Sequence, residues 1–274
     1  MRKAIVRGTV PRSSRWSQSQ ADAFFGYLLH DGSGADFAEV NGLADSAAYT
    51  GTAPTFGEYG AELAGDGGAW LPAAVNQVFQ LQHECRVIVA AWLTINNATM
   101  SGQDTVFAVN THGTVAGTLP IAGHFRLDLV TTDIRANFTY RNAAANNNSA
   151  PANQSVSIPT TLGNAGPVRH HVGIILHSNG SAVDYKMFLD GSVEVANSFT
   201  VNGAGPLQMP EAANHVVIGA RMSPPGTLVT SEALGTNTDT ELEALMLWRK
   251  NGATDAEAVA LMQKFYNFRA EAPF

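Results

Sequence analysis

Three carboxylates at alternate positions, Asp239, Glu241 and Glu243, form the pattern in this sequence that comes nearest to a catalytic one. Alternate residues of a β-strand project from the same face. Glycoside hydrolysis uses two carboxyl groups held roughly 5 to 9.5 Å apart, so this spacing is compatible with such chemistry. Charged residues at the start of a strand are, however, ordinarily solvated. A solvated strand start is therefore the favoured interpretation, and a catalytic cluster is the alternative.

The histidines and aspartates give little support for a metal site. His170 and His171 are adjacent, so in a strand they face opposite sides, and His177 has no supporting cysteine or carboxylate pattern. Calcium needs six to eight oxygen ligands, and the acidic loop residues lack the spacing of an EF-hand. We therefore expect no cofactor and keep calcium as a minor alternative. Its candidate ligands would be Asp31, Asp36, Asp45 and Asp66.

Four aromatic residues could stack on a sugar ring if they were exposed. They are Trp70, Trp92, Trp248 and Tyr140. The three tryptophans lie in strand-like stretches, which favours packing in the core. Trp16 differs because it lies in a polar segment without apolar neighbours. An exposed tryptophan in such a segment is typical of an anchor into a partner.

The N-terminal segment concentrates positive charge. Five of the sixteen basic residues fall within the first fifteen positions, and no acidic residue accompanies them. A segment of this kind ordinarily contacts an acidic partner or lies along a neighbouring subunit. We therefore predict a partner-docking arm that consists of Arg2, Lys3, Arg7, Arg12, Arg15 and Trp16.

The composition excludes several classes of function. The 274 residues carry a net charge of −7, which argues against nucleic-acid binding. The lone Cys85 allows no internal disulfide, and its strand-like surroundings predict a buried, inert thiol. The basic N-terminus lacks the apolar core of a secretory signal, and no segment approaches the roughly 20 apolar residues of a membrane span. These features predict synthesis in the cytoplasm.

Short apolar segments separated by glycine- and asparagine-rich turns predict an all-β chain. Residues 85–95 (CRVIVAAWLTI) are apolar on both faces, which indicates a central strand. Further strands are predicted at 21–30, 59–72 (two strands around a turn), 104–110, 122–130, 133–141, 156–158, 168–177, 183–189, 192–200, 214–220 and 241–249.

One helix is predicted at the end of the chain, over about 254–268. Thr254 and Glu257 have the spacing of a capping box, and apolar residues then recur every three or four positions. Residues 35–60, 142–167 and 223–240 are predicted to be loops, because their compositions build no core of their own. We divide the chain into an arm (1–20) and one sandwich domain (21–274).

Six segments, in this order, resemble the laminin-G-like branch of the concanavalin A-like lectin/glucanase superfamily. Ala64 replaces an aromatic residue that the family usually has after the first segment, and Arg169 stands where tryptophan is common. The resemblance covers roughly residues 21–268. The segments are 59–67 (YGAELAGDG), 88–92 (IVAAW), 169–174 (RHHVGI), 186–191 (KMFLDG), 217–220 (VIGA) and 243–248 (EALMLW).

The resemblance implies an antiparallel β-sandwich (jelly roll, laminin-G- and concanavalin A-like) with an N-terminal arm and one C-terminal helix. The superfamily includes lectins, glycosidases, adhesion modules and virion proteins, so it does not fix the function. Its glucanases carry a Glu-x-Asp-x-x-Glu strand, which this sequence lacks, so we expect no enzymatic activity.

Two functional hypotheses follow. The first is a structural protein of a phage virion surface, such as a capsid decoration or fibre-associated subunit, which docks through its arm and forms homo-oligomers. It rests on the arm, on the absent signal and on a surface poor in lysine but rich in alanine, asparagine, glycine and threonine. The alternative is a carbohydrate-binding, lectin-like module that uses the loops at 142–167 and 223–240.

Overall fold

A computed structural model gives the fold of most of the chain. It describes residues 23–28, 36–39, 47–57, 60–71, 85–96, 102–112, 121–130, 133–140, 152–157, 167–178, 182–200, 214–223 and 227–270. The predicted arm, with Arg2, Lys3, Arg7, Arg12, Arg15 and Trp16, lies outside these residues.

Eighteen short strands and one α-helix make up the described chain. The strands are β1 (Ala23–Leu28), β2 (Asp36–Glu39), β3 (Ala47–Thr50), β4 (Thr55–Phe56), β5 (Ala61–Glu62), β6 (Gly68–Trp70), β7 (Cys85–Ile95), β8 (Gln103–His112), β9 (Ile121–Val130), β10 (Asp133–Tyr140), β11 (Ala152–Ser157), β12 (Val168–Ser178), β13 (Ala182–Leu189), β14 (Ser192–Thr200), β15 (Asn214–Ile218), β16 (Arg221–Ser223), β17 (Thr227–Val229) and β18 (Thr240–Asn251). The helix α1 spans Asp255–Ala270.

The strands form two antiparallel sheets. The helix-side sheet has the order β1-β18-β7-β12-β13-β14, and the far sheet has the order β11-β10-β9-β8-β15-β6-β3-β2. β2 also pairs with β1, so it links the two sheets along one edge. β4 and β5 extend the pairing at β18, and β16 and β17 form a separate hairpin. This is the antiparallel β-sandwich that the sequence predicts.

The strand β7 is buried on both faces, as its composition predicts. Val87, Val89 and Ala91 contribute to the main core, together with residues of the far sheet such as Phe107 and Leu127. The alternate residues on the other face of β7, which include Trp92, belong to a second core cluster beneath the helix. Because β7 lies between β18 and β12, its backbone is also paired on both sides.

The helix α1 covers the outer face of the helix-side sheet. The predicted capping box is confirmed at its start: Glu257 N donates to Thr254 Oγ1 at 3.2 Å, and Thr254 N donates to Glu257 Oε2 at 2.7 Å. Ala258, Leu261, Met262 and Phe265 are buried against the sheet. Gly173 permits this close packing, because a Cβ there would lie 2.8 Å from Met262 Cε.

Two of the predicted loops contain strands. Residues 35–60 include β2, β3 and β4, and the segment 223–240 includes β17 and a short 3-10 helix at Thr230–Glu232. β11 is also longer than the predicted 156–158. Strands of two to four residues carry little alternation, and here they pair with one another: β3 with β2 and β6, and β4 with β5. No helix in the described part of the chain is long and apolar enough to cross a membrane.

Candidate functional site

The carboxylate of Glu243 is a structural anion rather than a solvated one. Its side chain is fully buried, and Arg169 binds it with both arms of the guanidinium, Nε to Oε1 at 2.8 Å and Nη2 to Oε2 at 2.9 Å. Thr94 Oγ1 donates to the same Oε1 at 2.8 Å. Arg169 also lies 5.1 Å above the ring of Trp92. These partners neutralise the carboxylate. In turn, Glu243 holds the guanidinium of Arg169 in place.

Glu241 is also buried, with 7% of the residue exposed. Gly60 N donates to its Oε2 at 2.9 Å, and Asn96 Nδ2 donates to its Oε1 at 3.2 Å. Only Asp239, the first of the three acids, is exposed. The prediction of a solvated strand start is therefore correct for Asp239 and wrong for both glutamates. The turn that contains Gly60 and the neighbouring strands cover that part of the sheet and supply the hydrogen-bond donors.

A buried aspartate, Asp104, holds the loop that precedes β18. Its Oδ2 accepts hydrogen bonds from Gly235 N at 3.1 Å, Thr238 N at 2.9 Å and Thr238 Oγ1 at 2.7 Å. Its Oδ1 accepts from Asn237 N at 3.0 Å and from Asn237 Nδ2 at 2.8 Å. A carboxylate that accepts this many hydrogen bonds fixes the backbone of the whole turn. We call residues 234–240 the clamped loop.

The clamped loop forms one wall of a polar pocket of about 310 Å³. Glu62, the last residue of β5, and the adjacent Leu63 also line the pocket. Asp239 Oδ1 accepts from Asn96 Nδ2 at 3.2 Å, and Thr55 Oγ1 donates to Glu62 Oε2 at 3.1 Å. The pocket therefore presents two carboxylates to solvent. It is lined by Glu62, Leu63, Gly235, Thr236, Asn237, Thr238, Asp239 and Thr240.

The pocket wall is held in one conformation by contacts on both sides. Thr236 Oγ1 bonds to Gly65 O at 2.8 Å and to Thr230 O at 3.0 Å. Gly235 has φ +93°, a left-handed conformation that favours glycine, and a side chain there would collide with the carbonyl of Leu63. A preformed wall of this kind reduces the conformational entropy that the protein must lose when a ligand binds.

The other sequence-predicted site residues lie apart from this pocket. Trp92 and Trp248 are buried in the core beneath the helix, and Trp70 is half-buried against a small cluster that contains Val217, so packing is their role. Cys85 is buried, as predicted. Of the loop 142–167, the structure describes the strand β11 and residue 167, and the side chain of Tyr140 lies outside what it describes.

The histidines face opposite sides of β12, as predicted. His170 Nδ1 lies 2.8 Å from Asp190 Oδ2. His171 packs among aromatic rings, with ring centroids 5.6 Å from Trp92, 5.6 Å from Phe265 and 5.5 Å from Tyr266. Burial lowers the pKa of His171 to about 4, although the charge of Asp190 opposes this shift.

The calcium alternative gains no support from the described residues. Among them, no group of three or more histidine, cysteine, aspartate or glutamate side chains could hold a metal ion. Asp66 instead accepts hydrogen bonds from Thr52 N at 3.0 Å and from Thr52 Oγ1 at 2.5 Å, which lower the pKa of its carboxyl. The backbone of Asp36 lies in β2, while Asp31 and Asp45 lie outside the described residues.

Sequence reasoning missed the residues that build the pocket. It named the segment 223–240 as a binding loop but not Asp104, which clamps it. One signal was present: Asp104 begins a strongly apolar segment, and an acid next to a buried strand requires hydrogen-bond donors. Glu62 gave no signal, because its position opposite the clamped loop depends on the pairing of β5 with β18.

No protein-family model matches the chain, and no curated protein matches it at a significant level. Solved structures share its fold. A sialidase of Trypanosoma rangeli in complex with sialic acid is 14% identical, with a TM-score of 0.50 over 89% of this chain and 33% of the sialidase. The binding domain of botulinum neurotoxin serotype D is 10% identical, with a TM-score of 0.53 over 89% of this chain and 50% of that one. This chain thus spans between a third and a half of those proteins.

A carbohydrate-binding module (CBM40) of a Ruminococcus gnavus sialidase also matches, at 11% identity and a TM-score of 0.39 over 69% of this chain and 87% of the module. At such low identities the sialidase and the toxin domain relate to the chain by fold alone, and that fold is a β-sandwich.

Proposed function

We propose that this chain is a carbohydrate-binding module and that the pocket beside the clamped loop holds the sugar. The observation that carries the proposal is a preformed polar pocket of about 310 Å³ with two solvent-facing carboxylates. Binding sites for small ligands have volumes of roughly 300 to 1,000 Å³. The similar structures include a toxin's binding domain and a sialidase in complex with sialic acid, which supports a role in glycan recognition.

The chemistry of the pocket suits a ligand rich in hydroxyl groups. A sugar hydroxyl donates a hydrogen bond, and the carboxylates of Asp239 and Glu62 accept one. Leu63 is buried in the main core, so the accessible lining of the pocket is mainly polar. Because Asp104 holds the clamped loop in place, the backbone that carries Asp239 is already positioned before a ligand binds. The two buried glutamates of β18 take no part, since they are fully engaged with Arg169, Asn96 and neighbouring groups.

A glycan array followed by calorimetry tests this proposal. The unmodified chain should bind at least one neutral oligosaccharide, and D239N and E62Q should each weaken that binding about tenfold, the effect of losing one charged hydrogen bond. D184N is the matched control, because Asp184 is an exposed acid in β13 on a different sheet region. Absence of binding to every glycan contradicts the proposal, and so does unchanged affinity in D239N.

Binding without turnover is the second expectation. Two carboxylates line the pocket, so hydrolysis is the competing chemistry. Incubation of the bound oligosaccharide with the protein should release no new reducing ends over a day. Release that disappears in both E62Q and D239N would identify the protein as a glycosidase.

A docking role on a virion surface is our second proposal, and the clustered charge of the N-terminal segment favours it. Five basic residues and Trp16 precede an otherwise acidic chain, and an arm of this kind suits an acidic protein surface. Removal of residues 1–15 should abolish recruitment to particles while leaving glycan binding intact. Particles that retain the shortened protein at full occupancy would contradict the docking arm. Light scattering of the intact chain tests homo-oligomerisation.

A further inference from the structure

The pocket beside the clamped loop is acidic. Two of the described residues that line it can carry a charge, Glu62 and Asp239, and both are exposed acids. Asn96 Nδ2 donates to Asp239 Oδ1 at 3.2 Å, and Thr55 Oγ1 donates to Glu62 Oε2 at 3.1 Å. An amide and a hydroxyl orient a carboxylate without cancelling its charge. Among the described residues, no lysine, arginine or histidine forms an ion pair with either acid.

Two further carboxylates lie behind the lining. Glu241 stands directly opposite Glu62 in the pairing of β18 with β5, and residues paired in this way have Cβ atoms roughly 5 Å apart. Like charges directly opposite each other destabilise a sheet. The carboxylate of Asp104 is held by backbone N–H groups and by the uncharged side chains of Asn237 and Thr238. A positive group in the pocket would relieve this repulsion, and a negative group would add to it.

Three described arginines lie near the clamped loop, and three acids accompany them. Arg126 and Arg221 form ion pairs with Glu232, at 3.3 Å and 2.8 Å. Asp133 lies two residues before Arg135 on the same face of β10. None of these residues lines the pocket, so this group leaves the charge of the lining uncompensated. The group consists of Arg126, Arg135, Arg221, Glu232, Asp128 and Asp133.

The available ligands decide which kind of cation fits the pocket. A calcium ion takes six to eight oxygen ligands, and no group of three or more histidine, cysteine, aspartate or glutamate side chains in the described chain could hold a metal ion. An ammonium group is a compact charge with three donors, and carboxylates accept such bonds strongly. The volume of about 310 Å³ leaves room for the molecule that carries the ammonium group.

We propose that the pocket selects a sugar that carries a free, protonated amine, such as a glucosamine unit. This inference rests on the proposed carbohydrate-binding function and names the class of sugar. The ammonium group contacts the carboxylates of Asp239 and Glu62, and the hydroxyl groups of the same ring bond to polar groups of the clamped loop. N-acetylation of the amine removes the charge that the pocket attracts. An acidic sugar is repelled by the same two carboxylates.

Calorimetry with four matched tetrasaccharides tests the proposal. All four have the same β-1,4-linked glucose backbone: cellotetraose, its 2-amino form (the chitosan tetramer), the N-acetylated form of that tetramer, and cellotetraose oxidised to carboxylates at C6. The unmodified protein should bind the amino form about tenfold or more tightly than cellotetraose, as one charged hydrogen bond predicts. The N-acetylated form should show no such gain, and the carboxylated form should bind more weakly than cellotetraose. Added salt should reduce the gain, because it screens exposed charges.

Variants locate the effect, and the measured quantity is the ratio of the affinities for the amino form and for cellotetraose. D239N and E62Q should each lower this ratio about threefold, and the double variant E62Q/D239N should bring it close to one. E194Q is the matched control, because it removes one exposed acid from β14, and it should leave the ratio unchanged. Far-ultraviolet circular dichroism checks that each variant folds.

The outcomes separate this inference from the proposed function. A ratio near one in the unmodified protein overturns the selection of an amino sugar, even where loss of cellotetraose binding in D239N upholds the pocket. A high ratio that survives in E62Q/D239N overturns it as well. So does a ratio that E194Q lowers as much as E62Q, because the amine would then respond to the net charge of the protein. Absence of binding to all four probes, together with an empty glycan array, overturns both proposals.

Discussion

Replacement of His171 by leucine should flatten the dependence of stability on pH. The ring of His171 is fully buried, and neither ring nitrogen has a hydrogen-bond partner among the described residues. The rings of Trp92, Phe265 and Tyr266 pack around it. A protonated imidazole would lose its hydration here, and the charge of Asp190 offsets that loss only in part. We therefore expect the folded protein to hold the imidazole in its neutral form.

The magnitude follows from the two protonation equilibria. The pKa of His171 is about 4 in the folded chain, and the ordinary value is 6.5. Below pH 6.5 the unfolded chain takes up a proton that the folded chain refuses until the pH approaches 4. Stability is thus lost as the pH falls through this interval, and it levels off below it. At pH 5 the loss amounts to about 2 kcal/mol of unfolding free energy.

Urea denaturation at pH 7.5 and pH 5 measures this effect. All other titrating groups are present in both proteins, so the difference between the two pH dependences isolates His171. The unmodified chain should lose about 2 kcal/mol more than H171L between the two pH values. Equal losses in the two proteins would refute the reasoning, because they would mean that the folded state accommodates the protonated ring.

Three further substitutions test the contacts around the site. D104N should lower the unfolding free energy by about 3 kcal/mol, because the new amide group would face buried N–H donors. The exposed control D184N should change it by less than about 0.5 kcal/mol. Equal urea midpoints for the two variants would contradict the role of Asp104 in holding the loop. E243Q should cost about 2 kcal/mol by leaving the charge of Arg169 uncompensated. The double variant E243L/R169L removes both charges and should cost less than E243Q; a larger cost would contradict this reasoning. T254A should cost about 1 kcal/mol in thermal unfolding, and no change would exclude the capping box.

The sequence was sufficient for the long elements of the fold. β7 was predicted at its observed limits, since eleven consecutive strand-forming residues between polar ends leave few alternatives. The helix was predicted to within two residues because its capping box marks its start. Strands of two to four residues, such as β3 and β4, were not recognised. Their conformation depends on pairing with neighbouring strands, β6 for β3 and β5 for β4, and segments this short carry too little alternation to indicate that pairing.

The site was less accessible to sequence reasoning for a related reason. Asp104 and Asn237 are 133 positions apart, and Arg126 and Glu232 are 106 apart, so their pairing depends on the complete arrangement of the sheets. Glu241 and Glu243 illustrate the converse error. Their spacing suggested a solvated face, but the neighbouring strands bring Arg169 and the turn at Gly60 over them. The alternation of residues along a strand indicates which side chains share a face. It does not indicate which other parts of the chain cover that face.

The position of β18 has a consequence for how the protein is made. This strand follows all the other described strands in the sequence, yet it lies inside its sheet, between β1 and β7. During synthesis the strand β1 therefore lacks this neighbour until β18, more than 200 residues further along the chain, has been made. Until then, the edges of β1 and β7 that pair with β18 in the folded protein lack that partner. The last described strand then pairs with both of them.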